Sequence, residues 1–231
     1  MPFLGILFFE PLQKIRIVNP MKIAVLISGS GSNLQALIDY QSHAHYEIAL
    51  VISNRPQAYG LVRAQNANIP TLVLDHTTYA DRLTFDKALM AALDDAKIEG
   101  VILAGFMRIL TPEFTQHFLG RMLNIHPSLL PKYPGLHTHQ RALEAKDSQH
   151  GVSIHFVTPE LDGGPVILQS VIQIADNDTP ETLQDKIHQE EYKIYPLVTD
   201  WLAQGKIQLV DNQALFNQKV LSAPLVFQHL E

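Results

Sequence analysis

A chain of 231 residues, 46% hydrophobic and 17% charged, carries enough apolar material for a sizeable core and reads as a globular protein with one main domain. Its net charge of −6 and isoelectric point near 6.0 leave no basic footprint for nucleic acid or for an anionic membrane surface. It has no cysteine, which excludes disulfides, thiolate nucleophiles and cysteine-based zinc sites and fits a reducing, cytoplasmic setting.

Residues 1–20 stand apart. The apolar run from Phe3 to Phe9 lacks a basic stretch before it and a small-residue cleavage site after it, so it makes a poor signal peptide. It also falls far short of the roughly 20 residues that a membrane span needs. A second methionine, Met21, stands immediately before the first strand. The expected organisation is a poorly ordered extension over 1–20, a single domain over 21–210 and a C-terminal tail over 211–231, where no usable pattern emerges.

From Lys22 to Ser28 the chain is nearly continuously apolar and rich in β-branched residues, the signature of a central parallel strand covered on both faces. Gly29-Ser30-Gly31-Ser32-Asn33 follows, then Leu34, Leu37 and Ile38 at helical spacing. Strand, glycine loop and helix in that order aim backbone N–H groups at an anion, and the expected guest is a phosphate. A dinucleotide fingerprint would need a third glycine where Leu34 stands. The strand Glu47–Ser53 ends in Asn54-Arg55 without an acidic residue for an NAD ribose, although an arginine can accept a 2′-phosphate, so an NADP-linked oxidoreductase stays open.

Helix Tyr59–Asn66, strand Ile69–Leu74, helix Asp81–Lys97 and strand Gly100–Ala104 continue the alternation, which predicts an α/β fold with a doubly wound, mostly parallel sheet. Gly105 to Leu110 reads as the wall of an apolar pocket or as core. Over Met122–His126 the period of a strand puts Asn124 and His126 on one face, and Pro127 ends the strand there. Next come a short helix, Gln140–Ala145, and an alternating strand, Gly151–Val157, whose His155 reads as structural. The Gly- and Pro-rich turn Thr158–Pro165 could return Asp162 to the rim that carries His126. Strand Val166–Ile174 is expected to run antiparallel to its predecessor because the turn before it is too short for a crossover.

Thr179-Pro180-Glu181 then caps a long helix with an apolar face through Leu183, Ile187, Ile194, Val198, Trp201 and Leu202, a kink expected at Pro196 and a stop at Gly205. Glu191 interrupts that face and wants a partner. Ile207–Val210 reads as a last edge strand. His137-Thr138-His139 is a close histidine pair, weak evidence for zinc without a third ligand, and no G-x-S-x-G elbow is present. An amide, an imidazole and a carboxylate that can polarise a carbonyl and move protons, beside a phosphate loop and an apolar pocket, fit acyl transfer to a phosphorylated acceptor.

Four segments together, Ile27–Gln35, Leu103–Leu110, Leu123–Pro131 and Glu160–Pro165, resemble the phosphoribosylglycinamide formyltransferases, folate-dependent enzymes of purine synthesis, from Met21 to about Lys206. The Asn-x-His-Pro-Ser strand is shared more widely among formyltransferases that use 10-formyltetrahydrofolate, while Lys132–His139 is the glycinamide enzyme's form of the following loop. The resemblance implies a formyltransferase fold acting on small-molecule substrates as a monomer or homodimer, with no metal, nucleic acid or membrane. It implies that Gly31, Ser32 and Asn33 hold the phosphate of the ribosylglycinamide and Glu191 meets its amino end. Arg82, Met107, Arg108, Ile109, Leu110 and Asn124 would bind the folate. Asn124 and protonated His126 would stabilise the oxyanion, and Asp162 would favour the charged imidazole and relay the proton. A non-catalytic phosphometabolite-binding protein is a third reading, and it leaves Asn124, His126 and Asp162 without purpose.

Overall fold

The computed structural model describes residues 19–229, so expectations for the first eighteen residues lie outside it. In chain order the elements are β1 (Met21–Ile27), α1 (Ser32–Tyr40), β2 (Tyr46–Ser53), α2 (Gly60–Asn66), β3 (Thr71–Val73), α3 (Arg82–Asp95), β4 (Gly100–Leu103) and α4 (Pro112–His117). They continue as β5 (Met122–His126), α5 (Thr138–Glu144), β6 (Gln149–Phe156), β7 (Val166–Gln173) and α6 (Pro180–Ala203). Four short strands follow: β8 (Ile207–Val210), β9 (Gln213–Phe216), β10 (Lys219–Val220) and β11 (Leu225–Val226).

The main sheet has eight strands in the order β11-β7-β6-β5-β4-β1-β2-β3. β3, β2, β1, β4 and β5 run parallel, β6 is antiparallel to both its neighbours, and β11 runs with β7. This is the mostly parallel α/β architecture that the alternation predicts, with β7 antiparallel to its predecessor as expected. The alternation of β1 divides its last five residues between two cores. Ile23, Val25 and Ile27 enter one core, Ala24 and Leu26 the other, and all five are 0% exposed. On the first side pack α1, α2 and α6, and on the second α3 and α4.

The order reverses between β1 and β4, which lie side by side although they are far apart in the chain. In an open α/β sheet that reversal leaves a crevice outside the strand ends. Ser28 clips it together: its hydroxyl accepts from the Met107 N–H (2.8 Å) and donates to Asn54 Oδ1 (2.6 Å). α6 is capped by a reciprocal pair, with Thr179 Oγ1 accepting from Thr182 N–H and Thr182 Oγ1 from Thr179 N–H. It runs unbroken through Pro196, and the buried Tyr195 hydroxyl donates to the Leu103 carbonyl (2.8 Å), pinning the helix to the end of β4.

Two features differ from expectation. β8 is not an edge of the main sheet but pairs with β9 in a separate three-stranded sheet, and residues after 210, which showed no pattern, form β9, β10 and β11. α4 went unread although Thr111 caps it and Pro112 opens it, because six residues are too few for a helical period to declare itself.

Candidate active site

Asn124 and His126 do share a face of β5, and across the antiparallel register Asn124 sits opposite His155. Because β6 runs downward, the turn after it leaves the sheet beside the start of β5, not its end. It folds back across the face that carries Asn124 and brings Asp162 to His126 at the end of β5. The left-handed backbone of Asp162 (φ +51) makes the reversal.

The three side chains meet. Asp162 Oδ2 lies 3.4 Å from His126 Nδ1 and accepts from the Gly135 N–H at 2.8 Å, while Oδ1 lies 3.5 Å from Asn124 Nδ2. His126 Nε2 donates to the Tyr133 carbonyl at 2.8 Å. Both ring nitrogens of His126 therefore face oxygen acceptors, a setting suited to a ring that carries two N–H groups.

His155 orients the amide. Its Nδ1 donates to the Phe156 carbonyl (2.8 Å), which leaves Nε2 as an acceptor, and Asn124 Nδ2 donates to it at 3.1 Å. Burial pushes the His155 pKa down, in keeping with that neutral form, although Asp162 Oδ1 lies 3.8 Å from Nε2. One amide hydrogen of Asn124 is thus occupied, and the second is held only loosely by Asp162. The structural reading of His155 accounts for its burial but not for this contact.

Beside the triad opens a cleft of 870 Å³. Asn124, His126, His155 and Asp162 line it, together with Met107, Arg108, Ile109, Leu110 and Leu161, and with Arg55 and Leu136, which the expected site omitted. Met107, Ile109, Leu136 and Leu161 are all more than half exposed, an unusual concentration of large apolar side chains at one wall. Beneath them Asp86 is fully buried, accepts from the Thr111 N–H and has its carboxyl pushed up by burial. Arg108 lies over the Phe85 ring at 4.5 Å. Arg82 is exposed at the first turn of α3 and is not part of the cleft lining. His137 and His139 reach the cleft wall, His139 against His150 at 3.0 Å, and among the described residues no three His, Asp or Glu side chains are grouped to hold a metal ion.

The glycine loop is built as the sequence requires. Gly31 has φ +70, and a Cβ there would lie 2.5 Å from the Gly60 Cα, so only glycine fits. Ser32 and Asn33 open α1, where N–H groups lack intrahelical partners. Glu191 on α6 comes to this helix end: it is 5% exposed, and Asn33 Nδ2 donates to its Oε2 at 2.8 Å. That single amide is the partner the apolar face called for. Burial outweighs it and pushes the Glu191 pKa from 4.5 to about 7. Asn33 Oδ1 remains buried without a partner.

Known proteins bear on this arrangement. The family model for formyl transferases matches residues 21–199. The phosphoribosylglycinamide formyltransferase of Haemophilus influenzae is 48% identical over 202 residues, covering 87% of this chain and 95% of that protein. The Escherichia coli enzyme of the same name is 48% identical over 196 residues, covering 84% and 92%. Among solved structures, the phosphoribosylglycinamide formyltransferase of Coxiella burnetii superposes with a TM-score of 0.87 at 48% identity, covering 90% of this chain and 99% of that one. These matches leave the NADP-linked and binding-protein readings without support: the chain belongs to the formyl transferase family, and within it to the phosphoribosylglycinamide formyltransferases.

Proposed function

We propose that the chain transfers the formyl group of 10-formyltetrahydrofolate to the amino group of N1-(5-phosphoribosyl)glycinamide in de novo purine synthesis. The observation that carries this reading is the meeting of Asn124, His126 and Asp162 at the wall of an apolar cleft. Gly31, Ser32 and Asn33 hold the acceptor's phosphate, and Glu191 holds its amino end. Burial lifts the Glu191 pKa to about 7 because the carboxyl lacks a charge partner, and the positively charged amino end of the acceptor supplies one. Met107 to Leu110 and Leu161 receive the ring system of the folate, and Arg82 meets the donor's carboxylates from outside the cleft.

The amine nitrogen attacks the formyl carbon and a tetrahedral oxyanion forms. The second amide hydrogen of Asn124 stabilises that oxygen together with the Nδ1–H of His126, whose 3.4 Å contact with Asp162 is the looser of the ring's two. Asp162 keeps His126 oriented and takes the proton released by the amine. The bond from the formyl carbon to N10 then breaks, and the proton passes to N10 as tetrahydrofolate leaves. An amine is a sufficient nucleophile, so neither a covalent intermediate nor a metal enters this scheme. We read the protein as a cytoplasmic enzyme of small molecules.

The test follows tetrahydrofolate release spectroscopically from 10-formyltetrahydrofolate, with and without the acceptor. Turnover only with acceptor is the expected result. Turnover without it would make the protein a hydrolase of the formyl folate, and no turnover by folded protein in either case would overturn the reading.

A further inference from the structure

Behind His126 lies a cluster of polar groups that the chemistry above does not use. The carbonyl that accepts from His126 Nε2 belongs to Tyr133, and the N–H that donates to Asp162 belongs to Gly135, so one short loop holds both the imidazole and the carboxylate. Tyr133 has a left-handed backbone, φ +55, which is strained for a bulky side chain and persists only where the surroundings hold it.

What holds it is Asp147. The Tyr133 hydroxyl donates to Asp147 Oδ2 at 2.8 Å, and Lys132 Nζ lies 3.0 Å from each carboxylate oxygen. From the other side Arg141 stands over the Tyr133 ring at 5.1 Å and donates to the Pro134 carbonyl at 2.7 Å. The Asp147 side chain is 18% exposed against 58% for Lys132. The ion pair with the exposed Lys132 is open to solvent screening, and the charge-assisted bond from Tyr133 ties the carboxylate to the residue whose carbonyl meets His126. Neither Tyr133 nor Asp147 lines the cleft.

We infer that Asp147 is a positioning residue for formyl transfer: by anchoring the Tyr133 hydroxyl it fixes the strained Tyr133 carbonyl that aims His126, an inference resting on the catalytic reading of His126. It acts on the reacting groups without touching substrate, so its loss affects turnover and spares binding.

Steady-state kinetics and thermal midpoints of five variants test this. Tyr133→Phe and Asp147→Ala should each lower kcat about tenfold while both KM values stay within about twofold. The double variant should be no slower than the slower single one, because both substitutions break the same bond. Asp147→Asn, which keeps an acceptor oxygen for the hydroxyl, should restore most of the turnover, and Lys132→Ala should stay within about twofold of the parent. Should Asp147→Ala not fold, Tyr133→Phe, which removes a single oxygen, and Asp147→Asn still decide the matter. Tyr133→Phe at parental kcat, losses that appear in KM instead, or single effects that multiply in the double variant would each overturn the positioning role. His126→Asn is measured alongside. If it is inactive while Tyr133→Phe is unimpaired, only the positioning role falls; if it keeps parental turnover, the catalytic reading falls and the inference with it.

Discussion

Two carboxylates stand at the two ends of this site, and they are treated in opposite ways. Asp162 is met by the Gly135 N–H, the His126 ring and the Asn124 amide, so its neighbours are in place before any substrate arrives. Glu191 is as thoroughly buried but has one amide for company, and burial lifts its pKa to about 7. The first arrangement suits the proposed chemistry, in which groups must not move when charge develops. The second is left incomplete, which suits the proposed capture of a cationic ligand. On the proposed roles, catalysis and recognition differ in how many donors each acid is given.

The contrast predicts a hierarchy of effects. Asp162→Asn should cause the largest, a fall in kcat of about 10²–10⁴-fold with both KM values within a few-fold in steady-state assays. An equal loss in affinity would erase the distinction between the two acids. Glu191→Gln should do the reverse, raising the KM for the ribosylglycinamide about tenfold or more while the folate KM holds. It should also change stability with a definite sign. The Glu191 pKa is raised in the folded state, so its contribution to stability is fully present below pH 4.5 and is lost as pH rises through about 7. The glutamine variant should therefore gain up to about 3 kcal/mol at pH 8 and nothing at pH 4.5, as read from denaturant melts at the two values.

Smaller effects sharpen the picture. His155→Leu frees the Asn124 amide, and kcat should fall about tenfold, the value of one oriented hydrogen bond. Arg82→Ala, at an exposed position outside the cleft, should raise the folate KM by no more than about fivefold and leave kcat alone. A larger loss there would mean that the helix end closes onto the bound donor.

Much of this site was legible because its signals are local. Asn124 and His126 share a face by strand period alone, the Gly31 turn is written in small residues, and Glu191 declared itself as a charge on an apolar stripe. What was not legible is set by register and backbone conformation. That β6 brings His155 opposite Asn124 depends on a pairing between strands 31 residues apart. The part played by Tyr133 depends on a left-handed backbone that tyrosine rarely adopts. The strands after residue 210 are two to four residues long, and their pairing is dictated by the sheets they join and not by their own composition.

One of those late strands has a consequence beyond the site. β11 lies along the outer edge of β7, and past its end the Gln228 side chain takes over: its amide nitrogen donates to the Ser170 hydroxyl and the Val171 carbonyl, and its oxygen accepts from the Val171 N–H. A side-chain amide there imitates a further strand. Without it the last eight-residue strand of the main sheet would present open backbone donors and acceptors, a template for another copy of the same edge. The tail thus leaves less of that edge open for a second copy to extend.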